Sequence, residues 1–150
     1  MIDALDKDLA ELGAPTALVE RITGLLGAYA ALLNEGIDAA FVSEYRDESG
    51  QRIFEALWLF SDHFAMEAKL LGDEEDQFDF VPHKNSVRHV VIRKRNFDLG
   101  TGYSDSRLAV DVWFTDQRYG VLKATAENCE RLVALVKERL LPNALNGIPE

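Results

Sequence analysis

The sequence predicts an α+β protein, with helices at the N-terminus, seven short antiparallel strands in the middle and one helix at the C-terminus. Three observations predict it. Apolar residues recur at helical spacing up to about residue 35. From residue 39 the period drops to two, in seven short runs separated by turn signals. Beyond residue 125 the helical period returns. At 150 residues, 47% apolar and 28% charged, the chain has the size and composition of one globular domain with a substantial core. No internal repeat or long linker divides it. The expected layout is a single domain over 1–150: a helical extension over 1–36, a core over 39–141 and a tail over 142–150.

Ile2, Leu5, Leu9 and Leu12 give residues 2–12 an amphipathic face, and Gly13 and Pro15 end it. Thr16 then caps a longer helix to about Glu35. Its stripe is Leu18, Ile22, Leu25, Leu26, Tyr29, Leu32 and Leu33. Gly24 and Gly27 cost helix propensity there; they either admit a close backbone or are merely tolerated. The strands are expected at 39–45, 52–60, 64–71, 78–81, 86–95, 107–114 and 118–124, with "RDESG", "SDH" and "TDQ" among the turns. Thr125 is placed as N-cap of the last helix, whose stripe is Cys129, Leu132, Val133, Val136 and Leu140, and Pro142 stops it.

Alternation puts apolar bulk on both faces of the strands. Leu57 and Leu59 face one side, and Trp58 and Phe60 the other. Trp113 opposes Leu108, Val110 and Val112. A second cover is therefore needed. The helix at 16–35 is the natural candidate and a second subunit the other.

"ALWLFSDHFAMEA" and "LAVDVWFTDQRYGVLKATAENCERLVALVKERL" resemble the strand–turn–strand and the closing hairpin and helix of bacterial pleckstrin-homology-like (PH-like) domains. Residues 39–141 resemble that fold. The resemblance implies a strongly bent seven-stranded antiparallel sheet, a PH-like barrel, closed by the C-terminal helix, with one or two N-terminal helices outside it. It also implies a binding scaffold and not an enzyme. The phosphoinositide function of the family is not carried over, because the first hairpin, "YRDESGQR", sets Asp47 and Glu48 beside Arg46 and Arg52.

Composition and motifs narrow the functions. A net charge of −10 disfavours nucleic acid as a partner. The acidic start "MIDALDKDLAEL" lacks the pattern of a signal peptide, and the 13-residue uncharged run 22–34 is too short to span a bilayer. A cytoplasmic protein without stable membrane association is the expectation. His63, His83 and His89 have no metal-ligand spacing, and one cysteine excludes a disulfide framework or multi-Cys zinc site. "SDH" is a turn, since adjacent residues cannot converge as a triad. "GTG" at 100–102 precedes a strand, so no helix N-terminus is available for phosphate. The acidic loop 73–79 lacks EF-hand spacing. No catalytic set, metal or cofactor is expected.

One segment stands out. "KNSVRHVVIRKRN", Lys84 to Asn96, carries five of the chain's 16 positive charges and no acid. The neighbouring acids of 73–79 balance its charge in the simplest case. On a regular strand, Val87, His89, Val91, Arg93 and Arg95 share one face, and Arg88, Val90, Ile92 and Lys94 the other. Arg93 and Arg95 then lie roughly 6.5–7 Å apart, a spacing suited to a carboxylate-rich peptide or phosphates. The residues expected to contact a partner are Arg93, Arg95, Arg88 and Lys94, with the aromatic Trp113 and Trp58. The expected function is a non-catalytic binding or adaptor domain, contacting a protein or peptide or a second copy of itself. The alternatives are a small acidic chaperone-like protein that binds an extended segment and, further off, a cone-shaped α+β pocket enzyme.

Overall fold

The computed structural model describes residues 5–33, 37–61, 65–70, 78–81, 87–95, 107–114 and 119–142, with the side chains of 6, 30, 32, 33, 78–81, 94 and 95 outside the description. Two helices come first, α1 (Leu5–Glu11) and α2 (Thr16–Leu33). Seven strands follow: β1 (Ala39–Arg46), β2 (Arg52–Phe60), β3 (Ala65–Lys69), β4 (Phe78–Val81), β5 (Val87–Arg95), β6 (Arg107–Phe114) and β7 (Tyr119–Thr125). The last helix, α3 (Asn128–Leu135), continues as a wider π-helical turn over Val136–Leu140. The strand expected at 64–71 is seen over Ala65–Lys69 and ends before Leu70, while residues 64 and 71 lie outside the described residues.

The seven strands do not form one bent sheet, and the expected PH-like barrel closed by the C-terminal helix is overturned. Among the described residues β1–β2–β3–β4 make one antiparallel sheet and β5–β6–β7 another. The seam between β1 and β7 shows why no ladder closes there. Ser43 Oγ accepts the Lys123 N–H at 2.8 Å, and the Glu44 carboxylate accepts the Thr125 N–H at 2.7 Å. Side chains thus consume the donors that a β1–β7 ladder would need. The two sheets meet through side chains and leave the barrel open.

The first sheet is apolar on both faces, as alternation required. Phe41, Trp58, Phe60 and Ala65 pack inward against Val110, Val112, Phe114 and Leu122 of the second sheet and Cys129, Leu132 and Leu140 of the C-terminal helix. On its other face Val42, Leu57, Leu59, Met66 and Leu70 pack against Leu5, Leu9, Ile22, Leu25 and Tyr29. The protein's own α1 and α2 therefore supply the second cover. Polar ties fix them: Arg52 Nη1 donates to the Leu12 carbonyl at 2.6 Å, Arg21 to the Leu70 carbonyl at 2.8 Å, and Arg131 to Asp8 and Glu11 at 3.2 Å each.

Two β-bulges reset the alternation. In β1–β2, Ser43 pairs with Ala56 but Glu44 with Phe54, so Glu55 is the extra residue. Phe54 consequently packs with Leu57 and Leu59 and not with Trp58. In β5–β6, Val87 pairs with Phe114 but His89 with Trp113, so Arg88 is extra. Val87 therefore turns into the core, 4% exposed, and leaves the face it was expected to share with His89, Val91 and Arg93. Thr125 is also not the N-cap expected: it ends β7, its hydroxyl donates to Glu44, and Glu127 precedes α3 without a side-chain cap bond.

Candidate functional site

Among the described residues, nothing covers the second sheet as α1 and α2 cover the first. On its outer face, register sets His89 opposite Trp113, Val91 opposite Asp111, Arg93 opposite Ala109 and Trp113 opposite Tyr119. Trp113 (37% exposed) and Tyr119 (57%) stack on each other with centroids 4.6 Å apart. β5 is an edge strand whose only ladder neighbour among the described residues is β6. Its middle is bare on both faces: Val91 on the outer face is 36% exposed and Ile92 on the inner face 46%. An edge strand with exposed apolar residues on both faces presents unpaired backbone groups and side-chain contacts together.

Along the same outer face, toward the ends of β1 and β7, lies a cleft of about 370 Å³. Arg46 and Tyr45 of β1, Arg93 of β5, Arg107 and Ala109 of β6 and Lys123 of β7 line it. Two of its cations are paired: Arg93 with Asp111 at 2.7 Å and Lys123 with Glu55 at 3.1 Å. Lys123 also sits 5.1 Å from the centroid of the Tyr45 ring. Arg107 is exposed and meets no acid among the described residues. Arg46 donates from Nη1 to the Gly50 carbonyl at 3.0 Å, while its Nε is buried without a partner.

One acid, Glu44, reaches this cleft from below, fully buried. Its lone pairs are occupied by Arg52 Nε at 3.0 Å, Thr125 N at 2.7 Å, the Thr125 hydroxyl and Asn128 Nδ2 at 2.8 Å. It is a tie between β1, β2, β7 and α3 and is not presented to a ligand. A second, mainly apolar cavity of about 120 Å³ lies between α1, β1 and α3, with Leu9, Phe41, Arg131 and Leu135 in its wall.

The residues singled out in the sequence scatter over this geometry. Arg93 lines the cleft. Arg95 sits at the matching end of β5, in register with Arg107, but its side chain and that of Lys94 lie outside the described residues. Arg88 is the bulge residue. Trp113 is on the bare face. Trp58 is a correction: it is 3% exposed, stacked between Phe60 and Phe114, and presents nothing to a partner. Sequence reasoning missed Tyr119, Arg46, Arg107 and Lys123 as a group. The pairing of β6 with β7 brings Tyr119 opposite Trp113, a signal open to inspection. The three cations come from separate strands and carry no common spacing.

Among the described residues no group of three or more His, Cys, Asp and Glu is placed to hold a metal. His83, Asp62 and His63 of the SDH turn, "GTG" and the acidic loop 73–77 lie outside the described residues. Burial, with Glu44 adding to it, pushes the Cys129 thiol up to about 11, so it is a packing group and not a nucleophile at neutral pH. No helix among the described residues is long and apolar enough to cross a membrane. No protein-family model, curated protein or solved structure matches this chain.

Proposed function

We propose that this protein is a non-catalytic binding module that takes an acidic, extended protein segment onto the edge of β5 beyond Arg88, which has no ladder neighbour on that side among the described residues. The exposure of Val91 and Ile92 on opposite faces of that edge strand carries the reading. A strand added there would hydrogen-bond to the β5 backbone and set its alternate side chains against those two residues. Charge selects the occupant. β5 carries Arg88, Arg93, Lys94 and Arg95 and no acid. Antiparallel pairing of two β5 strands would oppose like charges, which disfavours a second copy. An acidic segment would be attracted locally, despite the overall charge of −10.

The test uses synthetic peptides and fluorescence anisotropy. A ten-residue peptide alternating Val and Glu should bind saturably, and more weakly as salt rises. The same peptide N-methylated at alternate residues, on the edge-pairing side, should lose binding. Arg93→Glu with Arg95→Glu should leave the circular dichroism spectrum unchanged and weaken binding at least about tenfold. Equal binding of the methylated peptide, or of a Val/Lys peptide, would retire strand addition.

A further inference from the structure

We infer that the cleft between the end of β1 and the outer face of β5–β6–β7 is a binding site for a small phosphate monoester. The site shares Arg93 with the β5 edge, but Arg46 and Arg107, the cations that set it apart, lie on β1 and β6. Three observations point there. The cleft holds four cationic side chains, Arg46, Arg93, Arg107 and Lys123, on a chain of net charge −10. Two of them, Arg46 and Arg107, have no acidic partner among the described residues, whereas Arg93 and Lys123 already have Asp111 and Glu55. The Nε of Arg46 is buried with no acceptor. A buried donor without an acceptor is destabilising, and a bound anion would relieve it.

Among the described residues two guanidinium groups are left without an acid, and that surplus sets the charge of the occupant. A doubly charged anion would balance Arg46 and Arg107 without displacing either existing ion pair. Charge and geometry together select the group. The two arginines come from different strands, β1 and β6. A single carboxylate carries one charge and offers two oxygens in one plane, which suits one guanidinium fork. A phosphate monoester carries two charges on one group and offers three oxygens in different directions, so it can accept from both arginines and from Lys123. The about 370 Å³ of the cleft exceeds what one phosphate fills, and Tyr45, Leu108, Ala109 and Ala124 provide apolar wall beside the cations. The ligand therefore has an organic body. Glu44 does not oppose the anion, because Arg52, Thr125 and Asn128 saturate its carboxylate.

The experiment titrates the full chain with phenyl phosphate at pH 7.5, following amide chemical shifts. Phenyl sulfate, of the same shape but singly charged, is the control. The expected result is saturable shifts centred on Tyr45, Arg107, Lys123 and Ala124, with phenyl phosphate binding at least tenfold more tightly than phenyl sulfate. Arg107→Ala, at an exposed position, should keep the native spectrum and weaken phenyl phosphate at least about tenfold; Arg46→Ala with Arg107→Ala should abolish saturation. Non-saturable shifts, equal affinity for the sulfate, or unchanged affinity in Arg107→Ala would each overturn the assignment. Inorganic phosphate completes the set: it should shift the same amides with lower affinity, and affinity equal to that of phenyl phosphate would overturn the organic body.

Discussion

Glu44 is the buried charge on which strands from both sheets and the last helix converge. It is fully buried, yet its carboxylate meets Arg52, the Thr125 amide and hydroxyl, and Asn128. Arg52 in turn holds the Leu12 carbonyl, so one ion pair joins both sheets and the α1 region. Removing one partner of such a pair leaves a buried charge uncompensated. Glu44→Ala is therefore expected to cost about 3–5 kcal/mol in urea denaturation, and a loss under about 1 kcal/mol would show Arg52 to be effectively hydrated. Gly120 plays the matching apolar part: a Cβ there would come within 2.3 Å of Trp58 Cη2, so the close approach of β7 to the Trp58 ring requires glycine. Neither role was legible in the sequence. Glu44 occupied an ordinary polar position in "AAFVSEY", and its partners come from residues 8, 81 and 84 positions away.

Helix and strand periods located the elements, because amphipathic stripes are set locally. Strand pairing is not local, and there the sequence ran out. The bulge at Arg88 shifts the phase of β5 and turns Val87 into the core, and no residue pattern announces it. Arg93 and Arg95 keep the shared register face expected of them because both lie beyond the bulge. The glycines of α2 had two open explanations, and the surroundings decide: nothing lies within 4 Å of a Cβ added at Gly24 or Gly27. They are tolerated costs. Gly24→Ala and Gly27→Ala should each stabilise the protein by about 0.8–1 kcal/mol, raising its thermal midpoint. In the last helix, Cys129 titrates in the fold at about 11 against an ordinary 9.0, burial being the main cause. The unfolded chain then loses this proton first. Stability is fully present below pH 9 and declines as pH rises through about 11. Cys129→Ala should flatten that part of a stability-against-pH curve, and an unchanged decline would assign it to other groups.

The molecule treats its two sheets unequally, and that inequality underlies the functional proposal. Both outer faces carry large apolar residues, but among the described residues only the first is covered, by α1 and α2. The need for a cover was legible from Leu57 and Leu59 alternating with Trp58 and Phe60. Which sheet would receive the helices was not, since that depends on the division into two sheets. If α1 and α2 are an integral cover and not a detachable arm, their removal should be fatal. A chain of residues 37–150 would expose Val42, Leu57, Leu59, Met66 and Leu70 together. Fully uncovering a side chain of this kind costs about 1.5–3 kcal/mol, so five approach or exceed the ~5–15 kcal/mol that holds a typical domain together. It would also strip Arg52 of the Leu12 carbonyl and Arg131 of Asp8 and Glu11. The truncated chain should therefore lack a cooperative thermal transition by circular dichroism and elute as aggregate in size exclusion. A monomeric, cooperatively melting 37–150 would show instead that the helices only shield a sheet stable without them. Trp113 and Tyr119 would then have lost their distinction as the face without a cover among the described residues.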